Sequence, residues 1–129
     1  MRIKQYDEFI KSVVSGKKLD DSKLDNADLF YAYYRSVWEN GNATLDFGDV
    51  IWEDRVPELV DAMLAHGVRD FTISSRMSGI QNVIVAFMNA GDAELVGMKD
   101  VRTGHINPYT GDEEMAPAFI LHLVDTGKF

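Results

Sequence analysis

Apolar residues recur at three-and-four spacing from the start of the chain. Ile3, Tyr6, Phe9, Ile10, Val13 and Val14 would lie on one face of a helix that Ser15-Gly16 ends. The same period returns at Leu29, Phe30, Tyr33, Tyr34, Val37 and Trp38, with Asp25 or Asn26 placed to cap a second helix and Gly41 beyond its end. Between them KKLDDSKLDN is polar and turn-prone, a connection too short to separate domains. The run ATLDFGDVIWEDRVPELVDAMLAHGV is mixed at first and then regular. Pro57 has no N–H to give a helix interior, so the third helix should begin near it, with Asp54 a candidate cap. Its buried stripe is Val56, Leu59, Val60, Met63 and Leu64, and His66-Gly67-Val68 has the form of a Schellman stop.

The period then changes. Arg69 to Ser74 alternates, Phe71 and Ile73 against Asp70, Thr72 and Ser74, as a strand does. Ile80, Val83, Ile84, Phe87 and Met88 restore the helical spacing, and Ala90-Gly91 closes it. AELVGMKDVR reads as a strand interrupted at Gly97, TGHINPYTGDEE as a turn region and MAPAFILHLV as a further strand. NPYTG suits a type I turn, so the last two strands should form an antiparallel hairpin. The expected fold is α+β: three N-terminal helices, then strand-helix-strand-strand, in a mixed three-stranded sheet whose first two strands are parallel. Phe119, Leu121 and Leu123 would line one face, and Ala118, Ile120 and Val124, with His122, the other. Apolar residues on both faces require helices on both, or an interface on one.

The chain has 129 residues, 46% of them hydrophobic and 26% charged, which fits one domain with a real core. Residues 1–48 would be a helical N-terminal part and 49–129 an α-β-α-β-β core. Absence of cysteine removes disulfides, thiolate metal sites and cysteine nucleophiles, and suits a reducing compartment. MRIKQYDEFIKSVV lacks the basic start and unbroken apolar run of a secretory signal, and runs such as AFILHLV fall far short of the ~20 residues of a membrane span. A cytoplasmic location without membrane contact is the expectation. The net charge of −8 argues against direct nucleic-acid binding; its ordinary reading is solubility through self-repulsion, and its sharper one a protein partner with a basic surface.

Several residues invite chemistry. In FTISSRMSG a strand hands over to a helix, where free backbone N–H groups and the helix dipole attract anions. Ser75, Arg76, Ser78 and Gly79 form the candidate ligand-binding set, although Ser78 and Gln81 also have the spacing of a capping box. The loop lacks the Walker lysine, the Rossmann glycine spacing and the Gly-x-Ser-x-Gly of a nucleophile elbow. His66, His105 and His122 lack any recognised metal spacing. His66 suits a helix end, His105 a loop surface and His122 a hydrogen-bonded core or interface position. Carboxylates gather around the third helix and at Asp112, Glu113 and Glu114, while Asp92, Glu94 and Lys99 do not make the tight cluster that metal-dependent cleavage needs. No catalytic residue, metal site or cofactor is assigned. The aromatic second helix suits either recognition or core packing, with Tyr31, Tyr34, Trp38 and the nearby Trp52 as interaction candidates.

Within Trp52 to Val124, HGVRDFTISSRMSGIQNVIVAFMNAG, ELVGMKDV, the TG turn and PAFIL resemble an uncharacterised group of small acidic proteins from gut Firmicutes and their mobile elements. The resemblance covers a little over half the chain and implies no activity or residue role. It implies a free-standing bacterial accessory protein. The expectation that follows is a protein acting by protein–protein interaction, as an acidic inhibitor or nucleic-acid mimic, with self-association left open. The alternative is a small-molecule domain holding an anionic group at Ser75–Gly79. An enzyme built on His122 would require a carboxylate or hydroxyl within hydrogen-bond reach of its ring.

Overall fold

Four helices and a mixed four-stranded sheet make up the fold, in a computed structural model that describes residues 3–16, 26–48, 53–74 and 80–124. The elements are α1 (Lys4–Val14), α2 (Ala27–Tyr33) continued by a π-helical turn (Tyr34–Glu39), β1 (Leu45–Phe47), a 3-10 turn (Glu53–Arg55), α3 (Val56–Ala65), β2 (Asp70–Ile73), α4 (Ile80–Gly91), β3 (Glu94–Ile106) and β4 (Glu113–His122). Among the described residues no helix is long and apolar enough to cross a membrane.

The helix ends follow local chemistry. Asn26 Oδ1 accepts the Leu29 N–H at 3.0 Å, so it is Asn26 that caps α2. At the end of α3, Val68 N–H reaches Met63 O at 2.8 Å and Gly67 N–H reaches Leu64 O at 3.0 Å, with Gly67 at φ 71°, which is the Schellman pattern. Asp54 does not cap α3; it sits in the 3-10 turn, and Arg55 holds the cap position without a side-chain bond. Val14 is exposed rather than on the buried face of α1. Gly91 is the last residue of α4, and Asp92 takes the left-handed conformation at φ 48°. A Cβ on Gly91 would come within 2.7 Å of Leu123 Cδ2 and 3.1 Å of Val60 Cγ1, so close packing, not turn geometry, demands glycine there.

The sheet order is β1-β2-β4-β3, which corrects the three-stranded expectation in two ways. A short strand, β1, pairs in parallel with β2, so the adjacent parallel pair is β1 and β2, joined through α3. The two strands expected to be parallel neighbours, β2 and β3, run the same way but are separated by β4, antiparallel to both. The β3-β4 hairpin is present as read, and longer: β3 continues through the expected turn region to Ile106. Asn107 organises the turn, accepting the N–H of Tyr109 at 2.9 Å on Oδ1 while its carbonyl accepts that of Gly111 at 2.8 Å. Pro117 is tolerated in β4 because, among the described residues, β2 pairs no further than Phe119 and no strand on that side requires its N–H.

All four helices contribute to one core on the face of Leu45, Phe47, Phe71, Ile73 and Leu121. Phe47, Phe71 and Phe87 form a ring triangle with centroids 4.8 to 5.8 Å apart, each burial worth about 1.5–3 kcal/mol. Tyr6 carries α1 onto Phe30, Tyr33 and His66, and the Tyr33 hydroxyl donates to Asp7 at 2.5 Å. Among the described residues no α-helix covers β3 and β4 on the opposite face, where the sheet curls on itself. Asn42, just ahead of β1, bonds to Arg102 on β3, the other outer strand. Lys99 Nζ also lies 3.4 Å from Thr44 Oγ1. The curl buries Val101, Ala116 and Ala118, whose small side chains permit the close approach.

Candidate functional site

The curl leaves a cleft of about 1550 Å³ between α2 with its π turn on one side and the outer half of the β3-β4 hairpin on the other. The π turn begins where a serine competes for the helix's own bonds. Ser36 Oγ donates to Ala32 O at 2.6 Å, and further on the Asn40 N–H reaches back five residues to Arg35 O at 3.0 Å. The same Ser36 Oγ accepts the Asp46 N–H at 3.1 Å, closing the outer edge of β1. The hairpin approaches this turn at Gly104, where a Cβ would lie 2.4 Å from Asn40 Oδ1 and φ is 84°.

Asp46 is the buried carboxylate of the cleft, and Ser36 is buried beside it. Asp46 alternates with Leu45 and Phe47, so its side chain leaves the sheet on the face away from the core. Thr72, its register partner on β2, donates to Oδ1 at 2.5 Å, and Ser74 donates to Oδ2 at 2.6 Å. Gly48 lies over this group, its absent Cβ 3.3 Å from both Asp46 Oδ2 and Ser74 Oγ. The carboxylate is therefore held at the C-terminal ends of the parallel pair.

The charge of the lining is unbalanced. Asp28, Glu39, Asp46, Asp112, Glu113 and Glu114 face three arginines, Arg35, Arg55 and Arg102. Arg55 pairs with Asp28 at 3.3 Å and Arg102 with Glu113 at 3.7 Å. Two tyrosines rise from this acidic lining: Tyr31, 49% exposed on α2, and Tyr109, 95% exposed at the hairpin tip.

The residues singled out in the sequence fare differently. Ser75, Arg76, Ser78, Gly79 and Trp52 lie outside the described residues. Tyr31 lines the cleft, whereas Tyr34 packs on Phe30 at 6.3 Å between centroids and Trp38 is partly exposed, neither lining it. His66 packs at a tilt against Tyr6, with ring centroids 4.9 Å apart, and His105 is exposed on β3 instead of in a loop. His122 Nδ1 lies 2.7 Å from Asp70 Oδ1, its register partner. That meets the distance condition for an enzyme built on His122, but the pair is exposed, lies outside the cleft lining, and no described hydroxyl bonds to the ring. Among the described residues no three His, Cys, Asp or Glu side chains gather as a metal site. Asp46 and Tyr109 carry no motif; the signal in the sequence was the brief alternation of Leu45, Asp46 and Phe47.

Residues 29–123 match the family model of a domain of unknown function, DUF7698. The chain belongs to this family. No curated protein and no solved structure matches it. The DUF7698 stretch runs from α2 to the end of β4 and holds every lining residue of the cleft except Asp28, whereas α1 lies before it.

Proposed function

We propose that this DUF7698 protein acts by protein–protein interaction, seating a basic segment of a partner in the cleft between α2 and the hairpin. The single observation that carries this reading is the lining: six carboxylates against three arginines, with Tyr31 and Tyr109 projecting from it. An acidic cleft of this kind attracts cations over several ångströms, and exposed tyrosines supply contact area at small entropic cost. A basic segment carrying arginine would meet both, through charge-assisted hydrogen bonds and stacking. The finer form of the proposal is an acidic inhibitor that occupies a partner's nucleic-acid-binding surface, carried as an accessory protein by a bacterial mobile element.

The test is capture from a bacterial host lysate by the wild-type chain and by Glu39→Lys/Asp112→Lys, followed by affinity measurement on the captured protein. A partner held by the wild type, lost by the variant and released steeply by salt supports the reading. Equal capture by both chains overturns it, and salt-insensitive binding sinks the mimic version.

The alternative is an anionic small molecule at Ser75–Gly79, the segment that follows Ser74 in the chain. It requires phosphate or a nucleotide to raise thermal stability and Arg76→Ala to remove the effect.

A further inference from the structure

β3 stands at the edge of the sheet. Both backbone groups of Arg102 turn away from β4, since the Asn42 amide takes its N–H at 2.9 Å and its C=O at 3.1 Å. Antiparallel alternation turns the backbone of Asp100 and Met98 the same way. The register shift between Leu95 and Gly97 adds one residue to β3, which brings the Leu95 backbone outward as well. Among the described residues no backbone group of this edge between Glu94 and Asp100 bonds outward, and Lys99 reaches Thr44 only through its side chain. Its side chains are apolar and uncovered: Leu95 is 49% exposed, Val96 63% and Met98 58%.

A long apolar edge is a template for another strand. We propose that it pairs with β3 of a second copy of this chain, antiparallel across a two-fold axis, with Leu95 opposite Met98 of the copy. Charge complementarity selects this occupant and this register. Leu95 and Met98 stand in register with Leu121 and Phe119, on the core face, while Glu94 and Lys99 stand in register with His122 and Ala118, on the other face. Pairing Leu95 with Met98 of the copy brings Lys99 opposite Glu94 of the copy, and symmetry repeats both contacts. Two apolar pairs then lie on one face and two opposite-charge pairs on the other, each of a kind that stabilises neighbouring strands. Asn42 ends the pairing at Arg102 by occupying its outward groups. The result is one continuous eight-stranded sheet with both acidic clefts open.

Sedimentation velocity over a range of concentrations tests this on the full chain. The expected result is a concentration-dependent dimer whose dissociation constant rises about tenfold for Glu94→Lys and recovers when Lys99→Glu is added. The chain has no cysteine, so Leu95→Cys/Met98→Cys should give inter-chain disulfides on mild oxidation. Far-UV circular dichroism of each variant confirms folding, and the charge pair carries the test if the cysteine variant does not fold. A monomer at every concentration without crosslinks, or a dimer indifferent to the charge exchange, overturns the proposal.

Discussion

Asn42 acts toward Arg102 as a neighbouring strand would. Its side-chain Oδ1 accepts the Arg102 N–H and its Nδ2 donates to the Arg102 carbonyl, while Nδ2 also lies 3.1 Å from Ser36 O. One amide thus joins the π turn to the far outer strand, and the cleft walls keep their separation through it. Asn42→Ala should lower stability by about 1–3 kcal/mol in urea unfolding, from the loss of these bonds. Arg102 amide exchange should accelerate by a larger factor than that of Phe71 in the core, since the edge opens locally. Uniform protection across both positions would show that the contact does not hold the curl.

Ser36 should behave as a second fastener. Its hydroxyl bridges Ala32 O and the buried Asp46 N–H. Ser36→Ala leaves that N–H without its partner and should cost about 1–3 kcal/mol, read by thermal or urea unfolding.

Asp46 separates shape from hydrogen bonding. Asp46→Ala removes the acceptor of both the Thr72 and Ser74 hydroxyls and should cost more than 2 kcal/mol on the order expected for a broken buried network. Asp46→Asn retains one acceptor oxygen, so its cost should be about half as large. Equal losses in urea unfolding would mean that packing alone accounts for the residue.

Two glycines should respond in opposite ways to alanine. Gly91→Ala drives a methyl against Leu123 and Val60 and should destabilise by about 1–3 kcal/mol despite alanine's helix preference. A Cβ on Gly97 meets nothing within 4 Å, so Gly97→Ala should change stability by less than about 0.5 kcal/mol. Thermal unfolding of the pair checks both.

The His122–Asp70 contact is expected to matter little. Both side chains are exposed, with 38% and 67% of their surface accessible, and pairs of this kind contribute about 0–1 kcal/mol. His122→Ala should leave stability within that range and partner capture intact. Loss of partner binding in this variant would move the interaction surface from the cleft to this face.

Much of the fold was legible because it depends on local rules. α1, α3 and α4 appear where three-and-four apolar spacing placed them, whereas the expected second helix through Trp38 yields to a π turn after Tyr33 and β1 breaks the expected run of three N-terminal helices. Gly67 ends α3 as its neighbours require, and Asn107-Pro108 turns the hairpin. β1 escaped because three residues are too few to establish a period, and its hydrogen bonds come from elements distant in sequence. Gly91 was legible as a glycine at a helix end, but the reason for it, contact with Leu123 and Val60, exists only after α3 and β4 have packed.

The sequence by itself determined the helices, the hairpin, the acidic charge and the aromatic character of α2, since periodicity, turn chemistry and composition act over a few residues. Only the tertiary structure decided that β4 inserts between β2 and β3, that Asp46 meets Thr72 and Ser74, and that Tyr31 and Tyr109 share one cleft. Those relationships join residues 26 or more positions apart. They depend on which strands pair and how far the sheet curls, which the burial of the whole chain selects and no local pattern records.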